Sequence, residues 1–426
     1  MIKLVVKQSG PLKGKVRISG SKNSVLPIIA ATLLTDGENI IEEVPFLNDV
    51  EIMCGLIESI GGEIRRSGNN KLNISAKGIK EIVAPYELVS KLRASFLVMG
   101  PILARVGEAK ISMPGGCAIG SRPVDLHLKG FAAMGAEINN AGGYIHASAK
   151  KLKGAQIYLD FPSVGATENI LMAACLADGN TIIENASVEP EIVDLANFLI
   201  MAGADIKGAG TDTVKITGVK ELKATSHLVI PDRIEAGTFM VAAAITQGDV
   251  IIENVIPDHL KPVSAKLKEC GVEISEELTS IRVKADNKMK AVDIKTLPYP
   301  GFPTDMQSPL ASLMSLSEGT SVIVETIFEN RFMHVSELNR MGANIKIDGR
   351  AAVIEGKNVL NGARVKANDL RAGAALVLAG LSAEGTTEVT NAEHIFRGYE
   401  NIDEKLKALG ADVSRAEEEK ADEDCE

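Results

Sequence analysis

The chain has 426 residues, more than one ordinary hydrophobic core accommodates, so two domains are expected. A net charge of −10 argues against nucleic acid as the main partner, and no apolar stretch reaches the roughly 18 residues that span a bilayer. The cysteines, Cys54, Cys117, Cys175, Cys270 and Cys425, are widely spaced and form no CxxC pair, which speaks against a zinc site and suits a reducing, cytoplasmic setting.

The first element is a strand, Lys3-Leu-Val-Val-Lys7, too charged for a signal peptide and followed by a Gly-Pro-Leu-Lys-Gly turn. One phrase then recurs: a glycine opens a β-branched strand, a loop and an amphipathic helix follow, and a second glycine leads into a short strand. Gly37-Glu-Asn-Ile-Ile leads to Gly61-Gly-Glu-Ile64, and Gly107-Glu-Ala-Lys-Ile to Gly135-Ala-Glu-Ile138. Gly179-Asn-Thr-Ile-Ile leads to Gly203-Ala-Asp-Ile206, and Gly248-Asp-Val-Ile-Ile to Gly271-Val-Glu-Ile274. Gly319-Thr-Ser-Val-Ile leads to Gly342-Ala-Asn-Ile345, and Gly385-Thr-Thr-Glu-Val to Gly410-Ala-Asp-Val413. The period is roughly 70 residues, too long for a common solenoid, so each copy is expected to be a small α/β module.

The helix inside each copy carries a one-sided apolar stripe, such as Ile192, Leu195 and Leu199 or Ile402, Leu406 and Leu409. A different helix precedes each copy and is apolar nearly all round, as in Ile170-Leu-Met-Ala-Ala-Cys175 and Phe239-Met-Val-Ala-Ala-Ala-Ile245; such helices must be buried. Six copies divide into three and three near Pro231-Asp-Arg233. The expected domains are 21–231, and 1–20 with 232–415, leaving 416–426 as an acidic tail.

Polar residues that helix formation does not require stand at the starts of the apolar helices: Lys22-Asn23, Arg93, Ser163-Val164-Gly165, Asp305 and Arg371. A second set follows the glycine-led strands: Asp49, the segment Cys117 to Asp125, Arg331 and Arg397. Helix N-termini favour anions, so parallel inner helices would gather both sets at one anion-binding cleft. Read alone, Asp305 is either an N-cap or a catalytic carboxylate. Pro114-Gly-Gly-Cys117-Ala-Ile-Gly-Ser-Arg122-Pro123-Val124-Asp125 puts a thiol, a guanidinium and a carboxylate on one glycine loop, without the GK[ST] ending of a Walker A. Cys54, Cys175 and Cys270 read as packing residues.

These motifs, with Leu92-Arg93-Ala-Ser, Ser163-Val-Gly-Ala-Thr-Glu-Asn169, Phe302-Pro-Thr-Asp305, Glu329-Asn-Arg331, Leu370-Arg371-Ala-Gly and Phe396-Arg397-Gly-Tyr399, resemble the UDP-N-acetylglucosamine enolpyruvyl transferases over nearly the whole chain. The resemblance implies the enolpyruvyl transferase fold, a two-domain inside-out α/β barrel of six repeated modules that closes over its substrates. It implies transfer of the enolpyruvyl group of phosphoenolpyruvate to the 3-hydroxyl of UDP-N-acetylglucosamine, with release of phosphate through a tetrahedral ketal. That is the first committed step of peptidoglycan synthesis, and no metal or organic cofactor is implied. By resemblance Asp305 is the base and Cys117 the acid, alkylated in this family by fosfomycin. Lys22, Arg122 and Arg397 would grip phosphate, and Arg331 and Arg371 the carboxylate. Asn23, Arg93, Asp305 and the main chain near Ile327 would hold the sugar nucleotide. Arg122, Pro123, Val124, Asp125 and Leu126 would hold its uracil, and Ser163, Val164 and Gly165 its diphosphate, with Asp49 serving closure. The chain departs from some members at Asp160-Phe-Pro162, where they carry a lysine. Two alternatives are a transferase like 5-enolpyruvylshikimate-3-phosphate synthase, whose family lacks the cysteine loop, and a non-catalytic repeat scaffold.

Overall fold

A computed structural model describes residues 2–68, 70–79, 81–113 and 124–418. Six apolar helices form the interior: α1 (Lys22–Ala31), α2 (Met99–Val106), α3 (Val164–Ala174), α4 (Arg233–Ile245), α5 (Gln307–Met314) and α6 (Leu370–Ser382). Their small and branched side chains are buried on nearly every face, which removes the usual hydrophobic stripe. Each strand-rich module lies outside them, so the helices are inside and the sheets outside.

Among the described residues there are six four-stranded sheets, one per copy of the repeat. In the third, Gln156–Tyr158 runs parallel to the glycine-led strand Asn180–Glu184, which pairs antiparallel with Thr213–Thr217; that strand in turn pairs with Asp205–Lys207. The sequence phrase therefore captured two strands of each sheet and missed the short parallel leader and, in the first five copies, the return arm of a hairpin, whose place in the sixth is taken by Ile2–Lys7. Left-handed glycines end the outer helices at the same place in each copy, with φ of +105° at Gly61, +109° at Gly203 and +97° at Gly410.

The leaders tie the copies into rings. Ser226–Leu228, after the third copy, pairs with Glu38–Glu42 of the first. The N-terminal residues complete the other ring. Lys13–Arg17 leads Asp249–Glu253 of the fourth copy, while Ile2–Lys7 lies between Thr386–Thr390 and Val413–Glu417 of the sixth. Two hydrophobic clusters follow this division. One runs from Val25 to Val229; the other joins Leu4–Ile18 to residues Ile234–Val413. We call these the first and second lobes.

The chain passes between lobes at two adjacent places, where Gly20 bridges Pro231 and the Asp232 N–H donates to the Ser19 carbonyl at 2.9 Å. The acidic tail begins later than its composition suggested. Ala416 and Glu417 belong to the last strand, paired with Lys3 and Ile2, and Glu418 pairs with Arg364 at 2.9 Å. No helix of the described residues is long and apolar enough to cross a membrane.

The central strand Ile2–Lys7 buries Leu4 and Val6 completely. Leu4→Ala should destabilise the second lobe by about 3 kcal/mol, the usual cost of a leucine-sized cavity. Hydrogen exchange should show Val413–Glu417 opening first, since Ile2–Lys7 is its pairing partner among the described residues.

Candidate active site

The inner-helix N-termini meet where the lobes face each other. α1 begins at Lys22, but the side chain at its N-cap position, Ser21, makes no capping bond. Asp232, from the second crossover, supplies one instead. Its Oδ2 accepts the Lys22 N–H at 3.2 Å, while Oδ1 caps α4 by accepting from Ile234 N and Glu235 N at 2.8 and 2.9 Å. One carboxylate thus anchors a helix of each lobe. Reading the repeat would have found it, because Asp232 stands at the N-cap of α4 as Ser163 does in α3 and Asp369 in α6.

Asp305 sits in the 3₁₀ turn Thr304–Met306 ahead of α5 and does not cap it. Its carboxylate accepts from Arg331 Nη2 at 2.7 Å and Arg371 Nε at 3.1 Å. The N-cap alternative therefore falls. Glu325 fixes this corner. It accepts from the hydroxyls of Thr296 and Thr304, both at 2.9 Å, and from the N–H groups of Ile327 and Phe328 at 2.8 and 3.1 Å. Thr304 Oγ1 in turn accepts from Arg331 Nη1 at 2.8 Å. Arg371, 1% exposed, lies 5.0 Å from the centre of the Tyr399 ring. Its Nη2 is 3.0 Å from Asp305 Oδ2, yet neither terminal nitrogen makes a well-directed hydrogen bond. Buried donors in that state suit a planar anion arriving from the cleft.

Across the cleft, Asp49 lies buried in the first turn of the outer helix Asn48–Ser59. It accepts from Arg397 Nε at 2.8 Å and pairs with Lys22 Nζ at 3.7 Å. Arg397 also donates to the Lys91 carbonyl at 3.3 Å. The first lobe's Lys22 and Asp49 therefore pair with the second lobe's Arg397, and the charges of Arg371 and Asp305 in the separate Arg331–Asp305–Arg371 group also act on Lys22. Burial alone would push the Asp305 carboxyl up, but Arg331 and then Arg371 outweigh it and hold it well below the usual range. Burial lowers the Lys22 ammonium; Asp49 opposes that, while Arg371 and Arg397 add to it.

Most of the other expected residues stand at helix starts. Asn23 is half-buried in the first turn of α1, and Arg93 opens the turn Arg93–Val98 ahead of α2. Ser163 caps α3, accepting from Ala166 N at 3.3 Å. Val164 and Gly165 follow it in the first turn, where a Cβ on residue 165 would come within 3.3 Å of His127. His127 was not singled out from sequence. Asn169 accepts from Gly100 N at 2.7 Å, which turns its amide nitrogen toward His127 Nδ1 at 3.1 Å and assigns the imidazole proton to Nε2, on the Gly165 side. Burial and then Arg93 push His127 down to about 3, so the ring is neutral. Val124, Asp125 and Leu126 begin the outer helix Asp125–Ala133 and keep some exposure. The Ile327 N–H is given to Glu325 at 2.8 Å. Asp160 pairs with Lys129 at 2.7 Å. Cys117, Arg122 and Pro123 lie outside the described residues.

Two predictions come from this electrostatics. Replacing Asp305 by Asn leaves Arg331 and Arg371 buried without their shared carboxylate. The variant should lose about 3 kcal/mol, and added phosphate should restore part of the loss by occupying the arginines. His334 is buried behind Arg331, and burial holds it down to about 4, against an unfolded value near 6.5. Below about pH 6.5 the unfolded chain binds the extra proton, so this histidine's contribution falls by on the order of 1 kcal/mol per pH unit until about pH 4. Denaturant midpoints at pH 7 and 4.5 should show His334→Asn less sensitive to acid than the parent.

The family model for EPSP synthase (3-phosphoshikimate 1-carboxyvinyltransferase) matches residues 6–406. UDP-N-acetylglucosamine 1-carboxyvinyltransferase 1 of Caldanaerobacter subterraneus subsp. tengcongensis is 66% identical over 413 residues, covering 97% of this chain and 99% of its own. The UDP-N-acetylglucosamine 1-carboxyvinyltransferase 2 of Carboxydothermus hydrogenoformans is 58% identical over 417 residues, with 97% and 99% covered. Among solved structures, the enolpyruvyl transferase NikO from Streptomyces tendae superposes with a TM-score of 0.88 at 25% identity, covering 97% of this chain and 98% of that one. EPSP synthase from Acinetobacter baumannii, at 20% identity and a TM-score of 0.78 over 98% and 100% of the two chains, shares the fold. With relatives this similar over 97% of its length, the chain belongs to the enolpyruvyl transferases, in the UDP-N-acetylglucosamine 1-carboxyvinyltransferase family.

Proposed function

We propose that this chain transfers the enolpyruvyl group of phosphoenolpyruvate to the 3-hydroxyl of UDP-N-acetylglucosamine, releasing phosphate, as a cytoplasmic step of peptidoglycan synthesis. The observation that carries the reading is the ion pairing of Lys22 and Asp49 of one lobe with Arg397 of the other, beside the second lobe's Arg331–Asp305–Arg371 group. Four cations against two carboxylates leave a surplus of positive charge. Phosphoenolpyruvate, with phosphate and carboxylate on neighbouring atoms, suits that surplus.

In this reading Lys22, Arg397 and Arg122 take the phosphate, and Arg331 and Arg371 the carboxylate. The sugar nucleotide lies along Asn23, Arg93 and the Ile327 carbonyl. Its diphosphate sits at the α3 N-terminus beside Ser163, Val164 and Gly165, and its uracil by Pro123, Val124, Asp125 and Leu126. Residues 21–231 form one domain, and 1–20 with 232–415 the other. Closure between them, with Asp49 bridging Lys22 and Arg397, excludes water.

Asp305 cannot act as a base while two arginines hold its charge. Once the substrate carboxylate takes a share of Arg331 and Arg371, the carboxyl of Asp305 rises and can accept the 3-hydroxyl proton. The freed oxygen attacks C2 of phosphoenolpyruvate while the Cys117 thiol gives its proton to C3, making a methyl group and the ketal. Loss of phosphate from C2 and of one methyl proton then restores the enol ether, and that proton returns to the protein.

Phosphate should be released when phosphoenolpyruvate is supplied with UDP-N-acetylglucosamine and not with shikimate 3-phosphate; the reverse would replace this reading by the shikimate-type one. Cys117→Ser should lower kcat by about 100-fold or more while keeping UDP-N-acetylglucosamine affinity, as loss of a general acid requires. Fosfomycin should add once, at Cys117 and faster with UDP-N-acetylglucosamine present. Burial pushes the thiols of Cys54, Cys175 and Cys270 up to about 12, so modification spread over them would contradict a selectively activated thiol.

A further inference from the structure

The segment Arg397–Glu400 touches three parts of the cleft. Arg397 reaches Asp49, and Tyr399 packs under Arg371, with its hydroxyl 2.9 Å from that of Thr238. Glu400 plays no part in the chemistry above, yet its carboxylate also crosses between lobes. Oε1 accepts the N–H of Phe46 at 2.7 Å, and Oε2 accepts the Ser19 hydroxyl. Phe46 lies on the loop that leads into Asp49, while its ring is 64% exposed. The bond to its backbone, not burial of its ring, is what ties this point to Glu400.

Ser19 lies on the first crossover and is itself tightly held. Its hydroxyl accepts from Lys405 Nζ at 2.7 Å, its N–H donates to Glu235 Oε2 at 2.9 Å, and its carbonyl accepts from Asp232 N at 2.9 Å. Lys405 also pairs with Glu235 at 2.5 Å. The next residue, Gly20, approaches the Asp49 loop so closely that a Cβ there would stand 1.8 Å from the Glu43 carbonyl oxygen. Crossover, loop and cleft arginine are therefore fixed to one another through Glu400.

Building on the transferase reading, we propose that Glu400 is a positioning residue for the reaction. It sets the Asp49 loop of the first lobe against Arg397 of the second, and so the spacing between Lys22 and the three arginines. Phosphoenolpyruvate, which needs cations from both lobes, depends on this spacing. UDP-N-acetylglucosamine, whose diphosphate and uracil contacts lie in the first lobe and which meets the second only at Ile327 and Asp305, depends on it far less.

The test compares Glu400→Ala and Glu400→Gln with the parent chain in phosphate release, UDP-N-acetylglucosamine binding by calorimetry, melting temperature and amide exchange. For Glu400→Ala, kcat should fall roughly tenfold and KM for phosphoenolpyruvate rise about fivefold, with UDP-N-acetylglucosamine affinity within about twofold. Exchange across residues 44–50 should quicken. Glu400→Gln should recover most of the loss, because its amide oxygen still accepts from Phe46. Unchanged kinetics in the Ala variant would overturn the proposal. So would equal weakening of both ligands alongside a lowered melting temperature, which marks a merely structural role. If the parent chain releases no phosphate from the substrate pair, the transferase reading fails separately. The exchange difference between Ala and Gln variants then still decides whether Glu400 holds the loop.

Discussion

One carboxylate between two buried arginines sets the terms for the cleft. Arg331 and Arg371 are each at most 5% exposed, and removing such cations from water is costly unless an anion stays beside them. Asp305 is that anion, and the surrounding corner is built to keep it there. Glu325 spends its oxygens on Thr296, Thr304 and two backbone amides, Thr304 orients Arg331, and the Tyr399 ring supports Arg371 from beneath. The same arrangement makes Asp305 a poor base until something else neutralises the arginines. Under the proposed function, binding the right anion and switching on the base are a single electrostatic event, and an empty site is kept from abstracting protons.

The repeat explains how such a site arises from modest modules. Every module presents an inner-helix start at the same end, so six helix N-termini and the loops beside them face the cleft. Individual copies then diverge: Lys22 in the first, Ser163 in the third, Asp232 in the fourth, Asp305 in the fifth and Arg371 in the sixth. The fourth copy shows the structural use of this position, with Asp232 capping α4 and anchoring α1. The two crossovers pair with each other beside Lys22, so both chain passages between lobes lie at one place.

Much of this was legible in the chain. Paired glycines with a fixed separation marked the modules, because left-handed turns after the outer helices need a residue without a Cβ. Helices apolar on all faces could only be interior. The short leaders and hairpin returns were not legible: Ser226–Leu228 is three residues long, and its partner Ile40 is 186 positions earlier. The end of the last strand hid for a related reason, since Ala416 and Glu417 look like tail until Ile2 and Lys3 are placed beside them. In the site, residue type singled out Asp305, Arg331, Arg371 and Arg397 as candidates, but not their pairing with one another and with Asp49. Asp232, Glu325 and His127 escaped because a buried capping or orienting group has the composition of an ordinary surface residue. Comparing equivalent positions across the six copies would have exposed only the first of these.

The central claim is that substrate anions take over the arginines from Asp305 and raise its carboxyl. Carbon-13 NMR of carboxyl-labelled aspartate measures this directly, with Asp305→Asn assigning the resonance. The titration is followed in the empty protein and in its complex with UDP-N-acetylglucosamine and an unreactive phosphoenolpyruvate analogue. A midpoint well below the usual carboxylate range in the empty protein, rising by about one unit or more in the complex, is the expected result. A midpoint that stays put or falls when both ligands bind would contradict the account.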